Sequence, residues 1–233
     1  MRQGAVGHVR VVMRGGRALV EKRMADPARH DTELLALRAL AQTSIPAPAV
    51  VDASPGRILM TLMPGERLDE ADADTRREGM RASAVLLRRL HETPVPQGLP
   101  AAPDDARIIR SYRDVGGPPL PLSIPEASGP AAFCHGDWTD GNLLVVDGRV
   151  SAVVDWEAAH VGDPVRELAR AAWAASRKDA RCLDDMTAAY GADRDLVRAW
   201  AAVHAAELWL WFAEAGPPEH LARLTAELRS WPL

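Results

Sequence analysis

Between Cys134 and Ala169 the chain reads Cys134-His135-Gly136-Asp137-Trp138-Thr139-Asp140-Gly141-Asn142, then Val153-Val154-Asp155-Trp156-Glu157, then Gly162-Asp163-Pro164. Asp137 is followed five residues later by an amide, and eighteen residues later by a second carboxylate at the end of an apolar run. These residue types suit transfer of a phosphoryl group from a nucleotide. One oxygen must take or orient the acceptor's hydroxyl proton, and hard oxygen ligands must hold the magnesium that neutralises the polyphosphate. Asp137 fits the first task, and Asn142 with Asp155 the second.

Positioning these groups requires a framework, and local signals supply one. Val9 to Met13 and Arg17 to Arg23 read as two strands joined at Gly15-Gly16, a pair suited to the positive φ of a tight hairpin. In the second strand Ala18, Val20 and Lys22 share one face. Asp26-Pro27 predicts a helix start, and the helix runs to about Gln42 before Ile45-Pro46-Ala47-Pro48. Glu33 falls on its apolar stripe with Ala36, Leu37 and Leu40. A carboxylate there needs a partner, and Lys22 is the expected one, with an Arg29–Glu33 surface pair as the rival. Val50-Val51 and Ile58 to Met63 are further strands, the latter closed by Pro64-Gly65. A helix is expected over Asp72 to His91, and residues 94–130 read as loops around a short helix near Ala106 to Tyr112. Leu143–Val146 and Val150–Val154 form a hairpin about Asp147-Gly148, and from Pro164 the chain reads helical, with breaks near Gly191 and Gly216-Pro217-Pro218. The expected fold class is α+β, with residues 1–63 as a small mixed lobe, residues 64–233 as a mainly helical lobe, and a hinge near residues 60–66.

Composition narrows the function classes. No stretch approaches the ~18–20 apolar residues of a membrane span. The opening Met1-Arg2-Gln3-Gly4-Ala5-Val6-Gly7 lacks a signal-like apolar region, so a cytoplasmic location is expected. Two cysteines are too few for a disulfide framework and read as buried hydrophobes, and no Cys/His pair has zinc-ligand spacing. Residues 1–63 carry nine Lys/Arg against five Asp/Glu, and the remainder 19 against 27. A basic first part suits a polyanion such as a nucleotide, and an acidic remainder suits a cationic second substrate. No basic stripe interleaved with aromatics points to nucleic acid.

The motif His135-Gly136-Asp137-x4-Asn142 resembles the catalytic loop of the aminoglycoside phosphotransferase and choline kinase families, relatives of the protein kinases, which carry Arg where this chain has Gly136. The run from Asp155 through Gly162-Asp163-Pro164 to Leu168-Ala169 is similar to the aminoglycoside branch. The resemblance implies a two-lobed protein-kinase-like fold, ATP or GTP as co-substrate, and magnesium held at Asn142 and Asp155. It implies that Lys22 reaches the α- and β-phosphates from a lysine–glutamate pair with Glu33, and that Val20 packs on the adenine. Thr61 and Met63 correspond to hinge positions whose backbone would meet the adenine edge, with Met60 behind the pocket. His135 braces the loop and Asp163 anchors the turn. The chain departs from the family at its start. Gly4 and Gly7 could bring backbone amides to the phosphates, but only three residues precede them where a strand is usual.

For the acceptor, Asp140, Glu157 and Glu207 are the candidate carboxylates for ammonium groups, with Glu214 a weaker one. Seven tryptophans among eleven aromatics are mostly expected in the core, with one or two free to stack on a ligand. The expected activity is O-phosphorylation of a cationic antibiotic, aminoglycosides first, which spoils an RNA-binding drug by adding negative charge. Alternatives are a basic cyclic peptide of the viomycin or capreomycin type, a metabolic kinase for choline, homoserine or a sugar, and a pseudokinase.

Overall fold

The computed structural model describes residues 7–127 and 129–231. Four antiparallel strands, β1 (Gly7–Arg14), β2 (Arg17–Met24), β3 (Val50–Ser54) and β4 (Arg57–Thr61), form a sheet in the order β1-β2-β4-β3. The β1–β2 register pairs Val9 with Lys22, Val11 with Val20 and Met13 with Ala18, and Val20 and Lys22 lie opposite Met60 and Ile58 of β4. Directly opposed residues point the same way, so these side chains share one face of the sheet. Helix α1 (Pro27–Leu40) starts as expected: Asp26 accepts from the amides of Ala28 and Arg29, and Pro27 occupies the first turn, where its missing N–H costs nothing. It buries Glu33, Ala36, Leu37 and Leu40. It ends two residues before Gln42.

After a two-residue strand β5 (Glu66–Arg67), helix α2 (Ala73–His91) is capped by Asp72 and buries Met80, Ala84, Leu87 and Leu90. Helix α3 (Asp105–Asp114) lies among the Pro- and Gly-rich loops. Strand β6 (Ala132–Cys134) leads into the motif turn, and the hairpin β7 (Leu143–Val146) and β8 (Arg149–Val153) follows it. The short strand β9 (His160–Gly162) returns to pair with β6. Neither β5 nor β9 is visible in the sequence pattern, because each is too short to show a period.

Helices α4 (Pro164–Ser176), α5 (Arg181–Tyr190), α6 (Arg194–Ala215) and α7 (Pro218–Arg229) complete the chain. Alanines 169, 171, 172 and 175 of α4 and 201, 202, 205 and 206 of α6 are buried. Small side chains let helix backbones approach closely, so these two helices form the dense centre of the helical region. Both cysteines are buried, as are Trp138, Trp156, Trp173, Trp200 and Trp209, whereas Trp211 is 55% exposed. Among the described residues no helix is long and apolar enough to cross a membrane.

Candidate active site

The motif turn is built from the backbone outward. Gly136 has φ of +84°, and a Cβ there would overlap the Ala158 carbonyl, so the arginine that protein kinases carry is sterically excluded. His135 is fully buried. Its Nδ1 accepts from the Asp137 amide at 3.1 Å and its Nε2–H donates to the Val154 carbonyl at 3.0 Å. Both nitrogens are thereby assigned to one neutral tautomer, and burial holds the ring's pKa below its usual value. His135 is therefore a brace between the Asp137 turn and the segment ending at Asp155. The Val154 amide, in turn, donates to the Asn142 carbonyl at 2.9 Å.

Asn142 Nδ2 donates to both the backbone oxygen and Oδ2 of Asp137, each at 2.9 Å. Nδ2 is thus committed to Asp137, and the amide's other terminus is an oxygen of the kind a hard ion requires. Asp155 adopts φ of +67°, a left-handed conformation uncommon for a residue with a Cβ, and its side chain is 44% exposed. A non-glycine held there marks a position where geometry outranks local backbone preference.

Across from this turn, Lys22 Nζ lies 2.5 Å from Asp155 Oδ1, 2.7 Å from Glu33 Oε2 and 2.9 Å from Glu157 Oε2. Burial acts against the lysine's charge, but Glu33 and Asp155 outweigh it and hold the ammonium protonated beyond its ordinary range. Burial likewise pushes the Glu33 carboxyl up against the pull of Lys22. Glu33 does pair with Lys22, and the rival Arg29–Glu33 contact does not form: Arg29 reaches Glu157 at 2.9 Å instead. Glu33, Asp155 and Glu157 bring carboxylate oxygens within 4.8 Å of one another. Three carboxylates with two cations leave negative charge in excess, a donor set that fits a divalent cation.

The three carboxylates expected at the acceptor are otherwise engaged. Glu157 belongs to the Lys22 cluster. Asp140 lies 2.6 Å from Lys178 and 4.0 Å from Arg76. Glu207 meets Arg166 and His204, both at 3.2 Å, and Arg166 also holds Asp105 at 2.7 Å. Burial opposes the Glu207 charge, but His204 and Arg166 outweigh it and hold its pKa at about 2; burial depresses His204 to about 4. Cations distant in the chain fold against each of these groups: Lys178 on Asp140, Arg29 on Glu157 and Arg166 on Glu207.

The basic surplus of the first 63 residues is also placed otherwise than expected. Alternation sends Val9 and Val11 to the Lys22 face and Arg10 to the opposite one, where Arg10 and Arg23 close on Glu21 at 2.7 and 2.9 Å and Arg57 on Asp52 at 2.5 Å. On the Lys22 face Val9 and Val11 are 40% and 60% exposed, an apolar surface beside Val20 and Met60 that the sequence reading left unassigned. The Thr61 amide is used by the Ala49 carbonyl at 2.9 Å, so the Thr61 backbone can offer a purine only its oxygen; its hydroxyl contacts Met63 Sδ at 3.7 Å. Gly7 opens β1 opposite Met24 rather than lying in a loop, and Gly4 is outside the described residues.

Asp163 caps α4, accepting from the amides of Val165 and Arg166 at 2.8 and 3.2 Å. That cap sets the phase of α4, whose Glu167 reaches the motif turn and accepts from the amides of His135 and Gly136 at 3.1 and 2.5 Å. Glu167 also accepts from His91 Nε2 at 2.8 Å, and His91 Nδ1 lies 2.7 Å from the Tyr190 hydroxyl. Burial works against the Glu167 charge, but the His91 bond and the neighbouring imidazoles hold its pKa at about 2. Glu167 lies within the run that resembles the aminoglycoside branch and His91 at the end of the helix expected over Asp72 to His91, but the sequence assigns neither a role.

The model of the phosphotransferase enzyme family matches residues 9–204. No curated protein matches the chain in sequence. Among solved structures, an aminoglycoside phosphotransferase, APH(4)-Ia, in a ternary complex with AMP-PNP and hygromycin B superposes with a TM-score of 0.73 at 16% identity, covering 98% of this chain and 90% of that one. The macrolide 2′-phosphotransferase MphH from Brachybacterium faecium gives 0.66 at 18% identity over 99% and 90%. A choline/ethanolamine kinase family protein from Mesorhizobium loti gives 0.69 at 20% identity over 97% and 90%. The α+β fold is that of the kinase-like phosphotransferases.

Proposed function

The chain belongs to the phosphotransferase enzyme family, and from that premise we propose that it moves the γ-phosphoryl group of ATP or GTP to a hydroxyl of an antibiotic, aminoglycosides being the first acceptor class. The observation that carries this reading is the bonded frame of the site. His135 ties the Asp137 turn to Val154, and Lys22 closes on Asp155 at 2.5 Å from the facing sheet. The Asp137 turn is thus tied to the segment that ends at Asp155, a carboxylate already paired with the Lys22 ammonium.

In this reading residues 1–63 hold the nucleotide and residues 64–233 carry the catalytic turn and the acceptor. Val9, Val11, Val20 and Met60 cover the purine, and the Thr61 carbonyl and the Met63 backbone meet its edge. The Lys22 ammonium, steadied by Glu33, takes the α- and β-phosphates as a point charge. Asp155 and the Asn142 amide oxygen would hold magnesium, which when bound supplies positive charge across the β- and γ-phosphates. Asp137 accepts the acceptor's hydroxyl hydrogen and aims the oxygen in line with the γ-phosphorus; as the new P–O bond forms, the proton passes to this carboxylate, the bond from the γ-phosphorus to the β,γ-bridging oxygen breaks, and the nucleoside diphosphate leaves. His135 and Asp163 keep the turn rigid.

A second acceptor reading is favoured by one observation. Asp140 and Glu207 are neutralised from within and Glu157 is drawn into the Lys22 cluster, which suits an acceptor with a largely apolar body and few amines, such as a macrolide. The test is a susceptibility panel of aminoglycosides, macrolides and basic cyclic peptides in cells expressing the wild type or Asp137→Ala. The expected result is at least fourfold protection against one class, lost in the variant, with a phosphorylated drug recovered. Protection by none, with turnover on choline, homoserine or a sugar, would replace the antibiotic by a metabolite. Equal protection by the variant would remove Asp137 from the reaction.

A further inference from the structure

Helix α4 sends a second side chain to the motif turn. Arg170 lies three residues after Glu167 and therefore on the same face of the helix. Its Nη1 donates to the Gly136 carbonyl, and its Nη2 donates to Asp137 Oδ1 at 3.1 Å. The two residues divide the turn between them: Glu167 takes the amide hydrogens of His135 and Gly136, and Arg170 takes the oxygens that follow.

The other carboxylate oxygen of Asp137 is held by Asn142 Nδ2 at 2.9 Å. One donor on each oxygen stops the carboxylate from rotating. Residues 138–141 of the turn, Trp-Thr-Asp-Gly, contain no cation, and Lys178 is taken by Asp140. Among the described residues, Arg170 is the cation ion-paired with Asp137.

We propose that Arg170 is the positioning residue of Asp137: its two-pronged hold on the Gly136 carbonyl and the carboxylate fixes the direction in which Asp137 presents an oxygen to the nucleophile. The inference rests on the phosphoryl-transfer reading above and adds a residue to it. A planar guanidinium spans two adjacent acceptors, whereas an ammonium offers a single point. Misdirecting a reacting group by about 1 Å costs on the order of 10²-fold in rate, and the groups Arg170 bonds are the Gly136 carbonyl and Asp137, whereas Lys22 bonds Glu33, Asp155 and Glu157.

The test uses the full chain with water as acceptor, so that no drug need be known: hydrolysis of Mg·ATP and Mg·GTP is followed by phosphate release, and Mg·AMP-PNP affinity by calorimetry. Arg170→Ala is expected to hydrolyse on the order of 10²-fold more slowly with affinity within twofold of wild type. Added guanidinium is expected to restore part of the rate in Arg170→Ala and none in Asp137→Ala. Arg170→Lys is expected to stay at least tenfold slow despite keeping the charge. Hydrolysis by Arg170→Ala within threefold of wild type, or a loss of rate matched by a loss of affinity, overturns the inference. If that variant does not fold, Arg170→Lys decides, and a rate within threefold of wild type overturns the two-pronged hold. A wild type that binds and turns over neither nucleotide overturns the proposed function itself, and is told apart by the wild-type measurement alone.

Discussion

The two ends of the site are charged on opposite plans. Around Lys22, three carboxylates crowd two cations, with Asp155, Glu33 and Glu157 all within 2.9 Å of one ammonium. Around the helical end every one of these carboxylates is met by a cation: Asp137 by Arg170, Asp140 by Lys178, and Glu207 and Asp105 by Arg166, which they share. An unbalanced cluster that is partly exposed waits for charge from outside, whereas a balanced one spends its charge on holding its own shape. In the proposed reaction the first is where a metal–nucleotide complex would enter, and the second would aim the nucleophile.

The largest effect expected from this difference is at Asp155. Asp155→Asn removes a charged oxygen ligand from the unbalanced end, where the lost charge stabilisation is worth several kcal/mol. Transfer is expected to fall at least ~10³-fold, about 4 kcal/mol in barrier, while thermal stability holds or rises because like-charge crowding is relieved. A rate within tenfold of wild type would mean that the cluster's surplus charge has no catalytic use.

The balanced end should answer in stability instead. Glu167→Gln leaves the two motif amides and His91 sharing a weaker partner in a fully buried place, with a cost of roughly 3–5 kcal/mol. The pH dependence has a definite sign. The Glu167 pKa is about 2, below the ordinary 4.5, so its stabilisation is complete above pH 4.5 and is lost as pH falls toward 2. His204, held near 4 below the ordinary 6.5, adds a loss between pH 6.5 and 4, because there the unfolded chain binds the proton and the folded chain does not. Urea unfolding at pH 7, 5 and 3.5 should show falling stability in the wild type and a shallower fall below pH 4.5 in Glu167→Gln. Parallel slopes would remove Glu167 from the acid sensitivity.

How much of this was legible follows from the distance over which each feature is decided. The first hairpin at Gly15-Gly16 and the Asp26-Pro27 and Asp163-Pro164 caps are decided locally, and the structure reproduces them; the Asp137–Asn142–Asp155 spacing is legible because it is written in the chain itself. The Lys22–Glu33 pair was legible because a charge on an apolar helix stripe demands a partner. The same rule applied to α4 singles out Glu167, buried beside Leu168 and Ala171, and one turn further Arg170. The pairing of Asp140 with Lys178, of Glu207 with Arg166 and of Glu157 with Arg29 was not legible, because each joins residues 38, 41 and 128 positions apart through the packing of whole elements. Charge totals alone therefore misplaced both the basic and the acidic surplus.

A smaller effect is expected where the two ends meet. Glu33→Gln removes one of the three carboxylates on Lys22 but leaves Asp155 and Glu157 in contact. The ammonium would then lean toward Asp155, away from the phosphates. Nucleotide affinity is expected to weaken on the order of tenfold, about 1.4 kcal/mol, with the ratio of ATP to GTP unchanged. Calorimetry with each nucleotide checks this, and unaltered affinity would mean that Glu33 serves the fold alone.

The smallest effect separates a balanced acceptor end from one that merely looks balanced before a ligand arrives. Asp140 is held by Lys178, whose side chain is 46% exposed, so the pair itself is worth about 1 kcal/mol or less. Asp140→Asn should therefore leave unfolding within that margin. For the acceptor, the two readings diverge. If the carboxylate stays with Lys178, KM for the accepted drug changes by no more than twofold. If a drug ammonium displaces Lys178 and takes Asp140, KM rises at least tenfold, and Lys178→Ala lowers it, because the competing cation is gone. That second pattern would return Asp140 to acceptor recognition and favour a polycationic aminoglycoside over a macrolide, with the internal pairs acting as placeholders for the drug's own charges.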